Sequence, residues 1–326
     1  MIARPNVQRW IRILLSIGLL RLVIALADGR EVWRALTRVH PGWLMAAAAV
    51  AGVDRMIIIH RWQLLLAGRG IRLTFRQLTR VQLRAAFMGS FLPTSIGVDA
   101  IRMATLCRSG HSGPDVVAAT LLDRMSLIIG TLVVGAATCL LLARELLPAP
   151  LQWAVLEITL ATLIMIVSFL HPAMRRWCRL TLLPWVPSRF RQAVHDTARA
   201  LLLYRHERRL LGAVAVLTGA ALVVRIVFVG MIALAVGRAL PPLGLVMVVP
   251  PLWIIGMLPI TVGGLGVQDV GYVAMMGLIG VSAPLAVSMS VVEHLLARLG
   301  NLPGALLMGD AVIPGRFQAS GAPQAG

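Results

Sequence analysis

The sequence predicts an all-α polytopic membrane protein with six full transmembrane helices and two re-entrant or broken helical segments that form an inverted repeat. Of its 326 residues, 58% are hydrophobic and 13% are charged, against roughly 45 to 50% and about 25% in soluble domains. Apolar runs of about 20 residues recur between arginine clusters, which is enough to cross a bilayer core of roughly 30 Å. This composition excludes a water-soluble globular enzyme.

The charge and the cysteines narrow the possible partners. The formal net charge is +18, and every basic residue is arginine because the chain has no lysine. These arginines lie in short loops between apolar runs, where membrane orientation and anionic lipids account for them, so we expect no nucleic-acid partner. Cys107, Cys139 and Cys178 lie far apart in the sequence. We therefore expect no disulfide framework, no metal site and no cofactor.

Six apolar runs are long enough to be full spans. They cover residues 11–27, 43–66, 114–143, 153–170, 211–236 and 284–308. The end of the first run, Ala25-Leu26-Ala27, imitates a signal-peptide cleavage site, but Arg21 interrupts the run. Because a charge is unusual inside the apolar region of a signal peptide, we favour an uncleaved first span over a cleaved one.

The distribution of arginine predicts the orientation of the spans. Residues 67–84 and 171–210 are rich in arginine and should both be cytoplasmic. Two full spans separate them, so the segment 85–101 must enter and leave the membrane on one side as a re-entrant hairpin. The same parity places both termini in the cytoplasm of a multi-pass protein of the bacterial cytoplasmic (inner) membrane. Arg30, Arg34 and Arg38 in the first outer loop oppose this assignment.

We expect one integral membrane domain over residues 1–326. It contains a first repeat region (1–170), a basic amphipathic linker on the cytoplasmic side (171–210), a second repeat region (211–308) and a disordered C-terminal tail (309–326).

Two basic stretches are predicted to be helices at the membrane surface. Thr74 and Gln77 fit a capping box that opens a helix. On it, four arginines recur at every fourth position: Arg72, Arg76, Arg80 and Arg84. In residues 188–210, one face carries Phe190, Val194, Ala198 and Leu201. Both patterns fit helices at a lipid interface, either as ordinary positive-inside anchors or as a specific lipid site.

Two proline- and glycine-containing segments resemble versions of one unit. Residues 91–99 read Phe-Leu-Pro-Thr-Ser-Ile-Gly-Val-Asp, and residues 257–269 read Met-Leu-Pro-Ile-Thr-Val-Gly-Gly-Leu-Gly-Val-Gln-Asp. Each contains Leu-Pro, a hydroxyl residue, glycine and then aspartate. By the parity argument, the first opens toward the cytoplasm and the second toward the outside. This arrangement is typical of an inverted repeat.

Such segments can bind anions, because proline and glycine interrupt the helix and expose amides at the start of the next half-helix. Two half-helix N-termini near the midplane would suit a lipid phosphate. The candidate lipid- and phosphate-binding residues are Pro93, Thr94, Ser95, Gly97, Asp99, Arg102, Pro259, Thr261, Gly263, Gly264, Gly266 and Asp269. In the alternative interpretation the prolines only kink spanning helices and Asp99 only caps one.

Ionisable residues within the spans are a second group of candidates, since each costs roughly 2.5 to 3.5 kcal/mol on insertion. The supporting polar residues are Arg61, Arg76, Arg80, Arg84, Asp123, Arg124, Glu293 and Arg298. Asp99 and Arg102 are three apart on one helix and can pair, whereas Asp123 and Arg124 cannot face each other. Such residues can line a polar path or only join helices. We interpret Arg225, away from the breaks, as structural.

Together with Arg61-Trp62 and Leu122-Asp123-Arg124, the two broken segments resemble the lysylphosphatidylglycerol synthase transmembrane family. That family includes the flippase domain of the bacterial aminoacyl-phosphatidylglycerol synthase/flippase. The chain departs from the family pattern at Gly97-Val98, where a glycine pair is usual, and at Gln268-Asp269, where Arg-Glu is common. Because the chain stops at Gly326, we expect a stand-alone member without the soluble aminoacyl-transferring domain.

The resemblance implies a lipid translocase, not an enzyme, that moves an anionic phospholipid or a polyprenyl-phosphate-linked lipid. No P-loop motif suggests direct use of ATP. Expected partners are membrane lipids with anionic head groups. A lipid-modifying enzyme as a further partner, or an oligomer of this chain, is compatible with the sequence. One alternative is a membrane glycosyltransferase that uses Asp28 and Glu31 on a lipid-linked sugar. Another is a non-catalytic membrane subunit of a lipid-modifying system.

Overall fold

The computed structural model of the chain describes residues 29–90, 97–141, 188–257 and 266–308, with positions 153, 156, 157, 160 and 164. The regular structure of these residues is helical. In chain order the helices are α1 (Gly29–Thr37), α2 (Pro41–Ala67), α3 (Phe75–Gly89), α4 (Gly97–Arg108), α5 (Gly113–Leu141), α6 (Ser188–Leu203), a 3-10 turn (Tyr204–His206), α7 (Arg208–Ala235), α8 (Pro242–Met257), α9 (Val267–Gly277), α10 (Ala283–Asn301) and α11 (Pro303–Leu306).

Three of the described helices are long and apolar enough to cross a membrane: α2, α5 over Gly113–Thr138, and α7. They match the spans predicted at 43–66, 114–143 and 211–236. The run predicted at 284–308 instead forms α10 and the short α11, because Pro303 lacks the amide hydrogen that would continue the helix. The span predicted at 11–27 and the tail at 309–326 lie outside the described residues, as does 153–170 apart from the isolated positions.

The spanning helices keep large apolar side chains on the outside of the bundle. Met45 on α2 and Val216 on α7 are 74% and 72% exposed, and Leu140 on α5 and Val223 on α7 are exposed too. A protein in water rarely leaves such apolar surface uncovered, whereas acyl chains cover it at no cost. These faces fit a multi-pass membrane protein.

The predicted capping box at the start of α3 is confirmed. The Gln77 amide donates to the Thr74 hydroxyl at 3.3 Å, and the Thr74 amide donates to the Gln77 side chain at 2.8 Å. Because Thr74 is the extended N-cap residue, with ψ of 152°, the helix begins at Phe75. The prediction that Arg72 lies on this helix is therefore wrong.

The basic stretch 188–210 is helical over α6, as predicted, and it packs along α5. Its buried residues are Ala200 and Tyr204, whereas Val194 is 45% exposed. The Tyr204 hydroxyl donates to the Leu65 carbonyl on α2 at 2.7 Å, and burial raises the pKa of this phenol above its ordinary value. Ala200 and Tyr204 thus fasten the linker to the bundle.

Helices flank both interrupted segments. The first lies between Gly89, where α3 ends, and Gly97, where α4 begins. The second lies between Met257 at the end of α8 and Val267 at the start of α9. The interruptions themselves, 91–96 and 258–265, lie outside the described residues. With them lie Pro93, Thr94, Ser95, Pro259, Thr261, Gly263 and Gly264.

The turns that follow the two interruptions are built alike. Gly110 and Gly280 have φ of 87° and 76°, a left-handed conformation that favours glycine. The amide after each glycine donates to the carbonyl five residues earlier, at 3.3 Å for His111 and 3.1 Å for Val281. Each turn then continues through serine to a proline in the first turn of the next helix. Corresponding residues are 170 positions apart in the sequence.

The packing of the helices repeats with their roles exchanged. α5 packs on α8, and its counterpart α10 packs on α3. α2 contacts α10 as α7 contacts α5, and α1 lies on α10 as α6 lies on α5. The described residues form two large apolar cores, one around Trp62 and Leu78 and the other around Leu252 and Met289. Each also includes a buried residue of the opposite half, Val214 of α7 in the first and Ala47 of α2 in the second. The contact between α2 and α7 joins the halves.

Candidate functional site

A cavity of about 290 Å³ lies where the two halves meet. Its walls include residues of the described helices α2 to α5 in the first half and α7 to α10 in the second half. Seven of the lining residues are ionisable: Arg61, Arg102, Arg124, Arg225, Asp99, Asp123 and Glu293. The wall therefore carries one more positive than negative formal charge.

Arg61 on α2 anchors one side of the cavity. Its Nε atom lies 2.7 Å from Asp123 Oδ1 on α5, and its Nη1 atom donates to the Thr218 hydroxyl on α7 at 3.3 Å. The arginine is only 1% exposed. Because a buried guanidinium is costly without partners, this network holds three spanning helices in a fixed relation.

Arg102 lies between two carboxylates and an aromatic ring. Its Nη1 atom is 3.2 Å from Asp99 Oδ1, which confirms the predicted pair on α4, and its Nη2 atom is 3.7 Å from Asp123 Oδ2. Its Cζ atom lies 3.9 Å from the centroid of the buried Trp62 ring. Its Nε atom is buried and has no hydrogen-bond partner in the described part of the chain.

Arg124 turns away from its neighbour Asp123, as predicted, and pairs with Asp99 at 2.5 Å. The Arg124 side chain is 30% exposed, against 4% for Arg102. Asp99 therefore joins one buried and one accessible guanidinium, and Arg124 is the cationic group that an incoming anion would meet first.

Arg225 is a site residue that the sequence interpretation missed. Its Nε atom lies 3.2 Å from Asp54 on α2, and its Cζ atom lies 3.7 Å from the centroid of the Trp253 ring. The residue is 2% exposed, and its buried Nη1 atom has no hydrogen-bond partner among the described residues. The sequence signal for this pair is an acid within one span, Asp54, and a base within another, Arg225. Neither residue lies beside an interrupted segment.

A polar cluster from α9 and α10 adjoins the cavity, and two of its residues, Gln268 and Glu293, are part of the cavity wall. Asp269 accepts from the Gly266 amide at 2.9 Å and from the Ser290 hydroxyl, and its Oδ1 atom lies 3.3 Å from His294 Nε2. Asp269 thus occupies an amide that the sequence analysis proposed for phosphate. Next to it, Glu293 accepts from the Tyr272 hydroxyl and, at 2.8 Å, from Gln268 Nε2.

The two halves place corresponding residues in corresponding contacts. At a separation of 170 positions, Asp99 matches Asp269, and Arg124 matches His294. Both pairs join a carboxylate in the first turn after a break to a side chain on the following long helix, a guanidinium in the first half and an imidazole in the second. Likewise Asp123 contacts Arg102 as Glu293 contacts Tyr272, at the same separation. Only the chemistry differs, with arginines in the first half and histidine and tyrosine in the second.

Several predicted residues lie away from the cavity. Of the described residues, Arg76, Arg80, Arg84 and Arg298 do not line it, and neither does Glu31, which is exposed on α1. Asp28 lies outside the described part of the chain. Gly97 is buried at the start of α4, and Gly266 has φ of 86° before α9. Gly97, Gly266 and Asp269 do not line the cavity either. The predicted residues that it does bring together are Arg61, Asp99, Arg102, Asp123, Arg124 and Glu293.

Comparison with known proteins agrees with this architecture. No curated protein matches the chain. The family described as the lysylphosphatidylglycerol synthase TM region matches residues 9–304, which covers every helix of both halves from α1 to α10. The protein is thus a multi-pass membrane protein that belongs to the lysylphosphatidylglycerol synthase transmembrane-region family.

Proposed function

We propose that the protein is a lipid translocase that moves an anionic phospholipid or a polyprenyl-phosphate-linked lipid across the membrane. The observation that carries this proposal is the arginine-rich cavity, in which buried donors of Arg102 and Arg225 have no acceptor among the residues that the structure describes. Planar guanidinium groups suit phosphate oxygens, and the low-dielectric surroundings strengthen such bonds. No chemical change of the lipid is part of this proposal.

The size of the cavity supports transport of a head group. Its volume of about 290 Å³ is near the lower end of ligand pockets, which run from roughly 300 to 1,000 Å³. A phosphate-bearing head group fits this space, whereas acyl chains do not. The chains would remain along the apolar outer faces of the spanning helices while the head group crosses.

We further propose that the two halves are an inverted repeat in a bacterial cytoplasmic membrane, with both termini in the cytoplasm. The exchanged packing of α2–α5 and α7–α10 supports a two-fold relation between the halves. The arginine-rich loops support opposite orientations, because two predicted crossings, an even number, then separate α2 from α7 and two such helices cross the membrane in opposite directions. Rocking of one half against the other would open the cavity alternately to each side.

Transbilayer movement in proteoliposomes tests the translocase directly. Fluorescent anionic and polyprenyl-phosphate lipids would be followed with the natural chain and with Asp99→Asn and Asp269→Asn. Both substitutions should slow the movement, because Asp99 positions Arg102 and Arg124 in the cavity, and Asp269 holds α9 against α10 next to Glu293. Equal expression and equal melting temperatures would show that the variants are folded.

A conservative pair of variants separates the site from general charge effects. Arg225→Lys keeps the charge that balances Asp54 but loses the planar fork, and Arg238→Lys makes the same change on an exposed residue outside the cavity. We expect movement to fall about tenfold in the first, for one lost charge-assisted hydrogen bond, and to be unchanged in the second. Absence of movement from the natural chain with every lipid would contradict the proposal.

A further inference from the structure

The two halves of the cavity differ in one systematic way. In the first half the contacts use arginines, which keep their charge at any physiological pH. In the second half the matched positions hold His294 and Tyr272, and both contact a carboxylate. The same geometry is therefore built once from fixed positive charges and once from an imidazole and a phenol, which carry no fixed charge.

Glu293 is the carboxylate of the second half that lines the cavity. It is 8% exposed, lines the cavity, and receives hydrogen bonds from Tyr272 and Gln268 on its two carboxylate oxygens. Its counterpart Asp123 has two arginines as partners, Arg61 and Arg102. Glu293 has two neutral donors instead. Neutral partners leave both the ionised and the protonated acid with a full set of hydrogen bonds, since the Tyr272 hydroxyl can rotate and accept.

The surroundings supply a modest positive field. Arg225 lines the same cavity on α7, and His294 follows Glu293 on α10 and faces Asp269. Five described helices with titratable residues pack on α10. Three belong to the first part of the chain: α1 carries Arg30, Glu31 and Arg34, α2 carries Asp54, Arg55, His60 and Arg61, and α3 carries Arg76, Arg80 and Arg84. The other two are α7, with Arg208, Arg209 and Arg225, and α9, with Asp269 and Tyr272. Asp54 neutralises Arg225 in part, Asp123 pairs with Arg61, and Arg55 bonds to Gly300 and Asn301 near the end of α10.

We propose that Glu293, held by Tyr272 and Gln268 beside the Asp269–His294 pair, is a reversible proton-binding site that couples proton movement to the transport cycle. The proton enters from water in the cavity, binds a carboxylate oxygen of Glu293 and leaves to water again, so no other reactant is needed. Proton binding removes one negative charge from the wall and thereby strengthens the attraction of the four arginines for an anionic head group. This coupling rests on the proposed translocase function, whereas proton binding by Glu293 does not.

Infrared difference spectroscopy of the full chain in lipid bilayers tests the proton site without any transport. Titration from about pH 5 to pH 8 should reveal the C=O stretching band of a protonated carboxylic acid that disappears as the pH rises. Glu293→Gln should remove this band, and Glu31→Gln, on an exposed acid of α1, should retain it. Absence of a titrating band from the natural chain, or its survival in folded Glu293→Gln, would overturn the proton site.

A milder variant keeps the test informative if Glu293→Gln fails to fold. Tyr272→Phe removes one donor that favours the ionised acid, so the midpoint of the band should rise by about one pH unit, a tenfold gain in proton affinity. An unchanged midpoint in folded Tyr272→Phe would overturn the role of this contact and with it the proton site.

Coupling is then tested in proteoliposomes. An imposed pH gradient should accelerate lipid movement by the natural chain and have no effect on Glu293→Gln. If the rate of lipid movement does not change with the pH gradient while the C=O band still titrates, the coupling is overturned but the translocase is not. A titrating band without any lipid movement would overturn the translocase and the coupling and leave the proton site standing.

Discussion

At the residue scale, the polar site depends on one carboxylate shared by two buried bases. Asp123 lies 2.7 Å from Arg61 and 3.7 Å from Arg102, and all three side chains are at most 8% exposed. Burial of unpaired charge costs several kcal/mol, so the two arginines are tolerable here only because Asp123 and Asp99 balance them. Loss of Asp123 should therefore affect folding more than its small change in volume suggests.

We predict that Asp123→Asn lowers the free energy of unfolding by about 3 to 5 kcal/mol, because it leaves Arg61 without its buried counter-ion. Thermal denaturation of the detergent-solubilised protein would measure the change. The control is Asp115→Asn, which breaks a pair with Arg69 at 2.9 Å whose side chains are 24% and 17% exposed. Asp115→Asn should lower the free energy of unfolding by about 1 kcal/mol or less. Equal losses in both variants would contradict a special role for burial.

The sequence predicts some of these contacts and not others, for a physical reason. Asp99 and Arg102 are three apart, so helical geometry alone places them together. Arg61 and Asp123 are 62 positions apart, and Asp54 and Arg225 are 171 apart. Such pairs depend on how whole helices pack, which local periodicity does not determine. Arg225 was accordingly interpreted as structural, although it lines the cavity.

At the element scale, the predictions succeed where the signal is local. The spans α2, α5 and α7 follow from runs of apolar residues, and α3 follows from the capping residues Thr74 and Gln77. The prediction fails where one residue overrides a trend, since Pro303 divides the last apolar run into α10 and α11. A hydropathy window averages over this proline and cannot locate the division.

The packing of α11 on α3 gives a prediction about one glycine. Gly304 is buried, and a Cβ atom there would overlap the backbone carbonyl of Leu83 and approach Phe87 Cβ within 2.8 Å. Backbone atoms of a helix cannot move aside as a flexible side chain can. We therefore expect Gly304→Ala to lower the free energy of unfolding by about 1 to 3 kcal/mol, as overpacking typically does.

The matched control for this change is Gly219→Ala in α7, where an added Cβ meets nothing within 4 Å. Alanine there should raise the free energy of unfolding by about 0.5 to 1 kcal/mol, because glycine is a poor helix former. Thermal denaturation of the two variants should give shifts of opposite sign. A stabilising Gly304→Ala would show that α11 does not pack closely on α3.

At the scale of the whole molecule, the two halves share an arrangement of helices and differ in the side chains at matched positions. The sequence revealed their likeness only in the interrupted segments, where Leu-Pro, glycine and aspartate recur. The longer correspondence, through Gly110 and Gly280 and on to Asp123 and Glu293, becomes visible once backbone turns and contacts are compared. Substitution of arginine by histidine and tyrosine conceals it from sequence patterns, because charge and size change while position does not.

The orientation of the halves gives the last prediction. If the repeat is inverted, the turn between α2 and α3 and the matching turn between α7 and α8 lie on opposite sides of the membrane. Arg72 and Arg238 are exposed in these turns. In a chain whose three native cysteines are replaced, a membrane-impermeant thiol reagent should label Arg72→Cys from the cytoplasmic side and Arg238→Cys from the outer side.

Gln192→Cys on α6 is the internal control, because this exposed position belongs to the basic linker that we assign to the cytoplasm. It should react together with Arg72→Cys and never with Arg238→Cys. Reaction of all three from one side would contradict the inverted repeat, because the exchanged packing pairs would then require a two-fold axis along the membrane normal. Alternating access by rocking of inverted halves would lose its geometric basis, although the cavity and its arginines would remain as described.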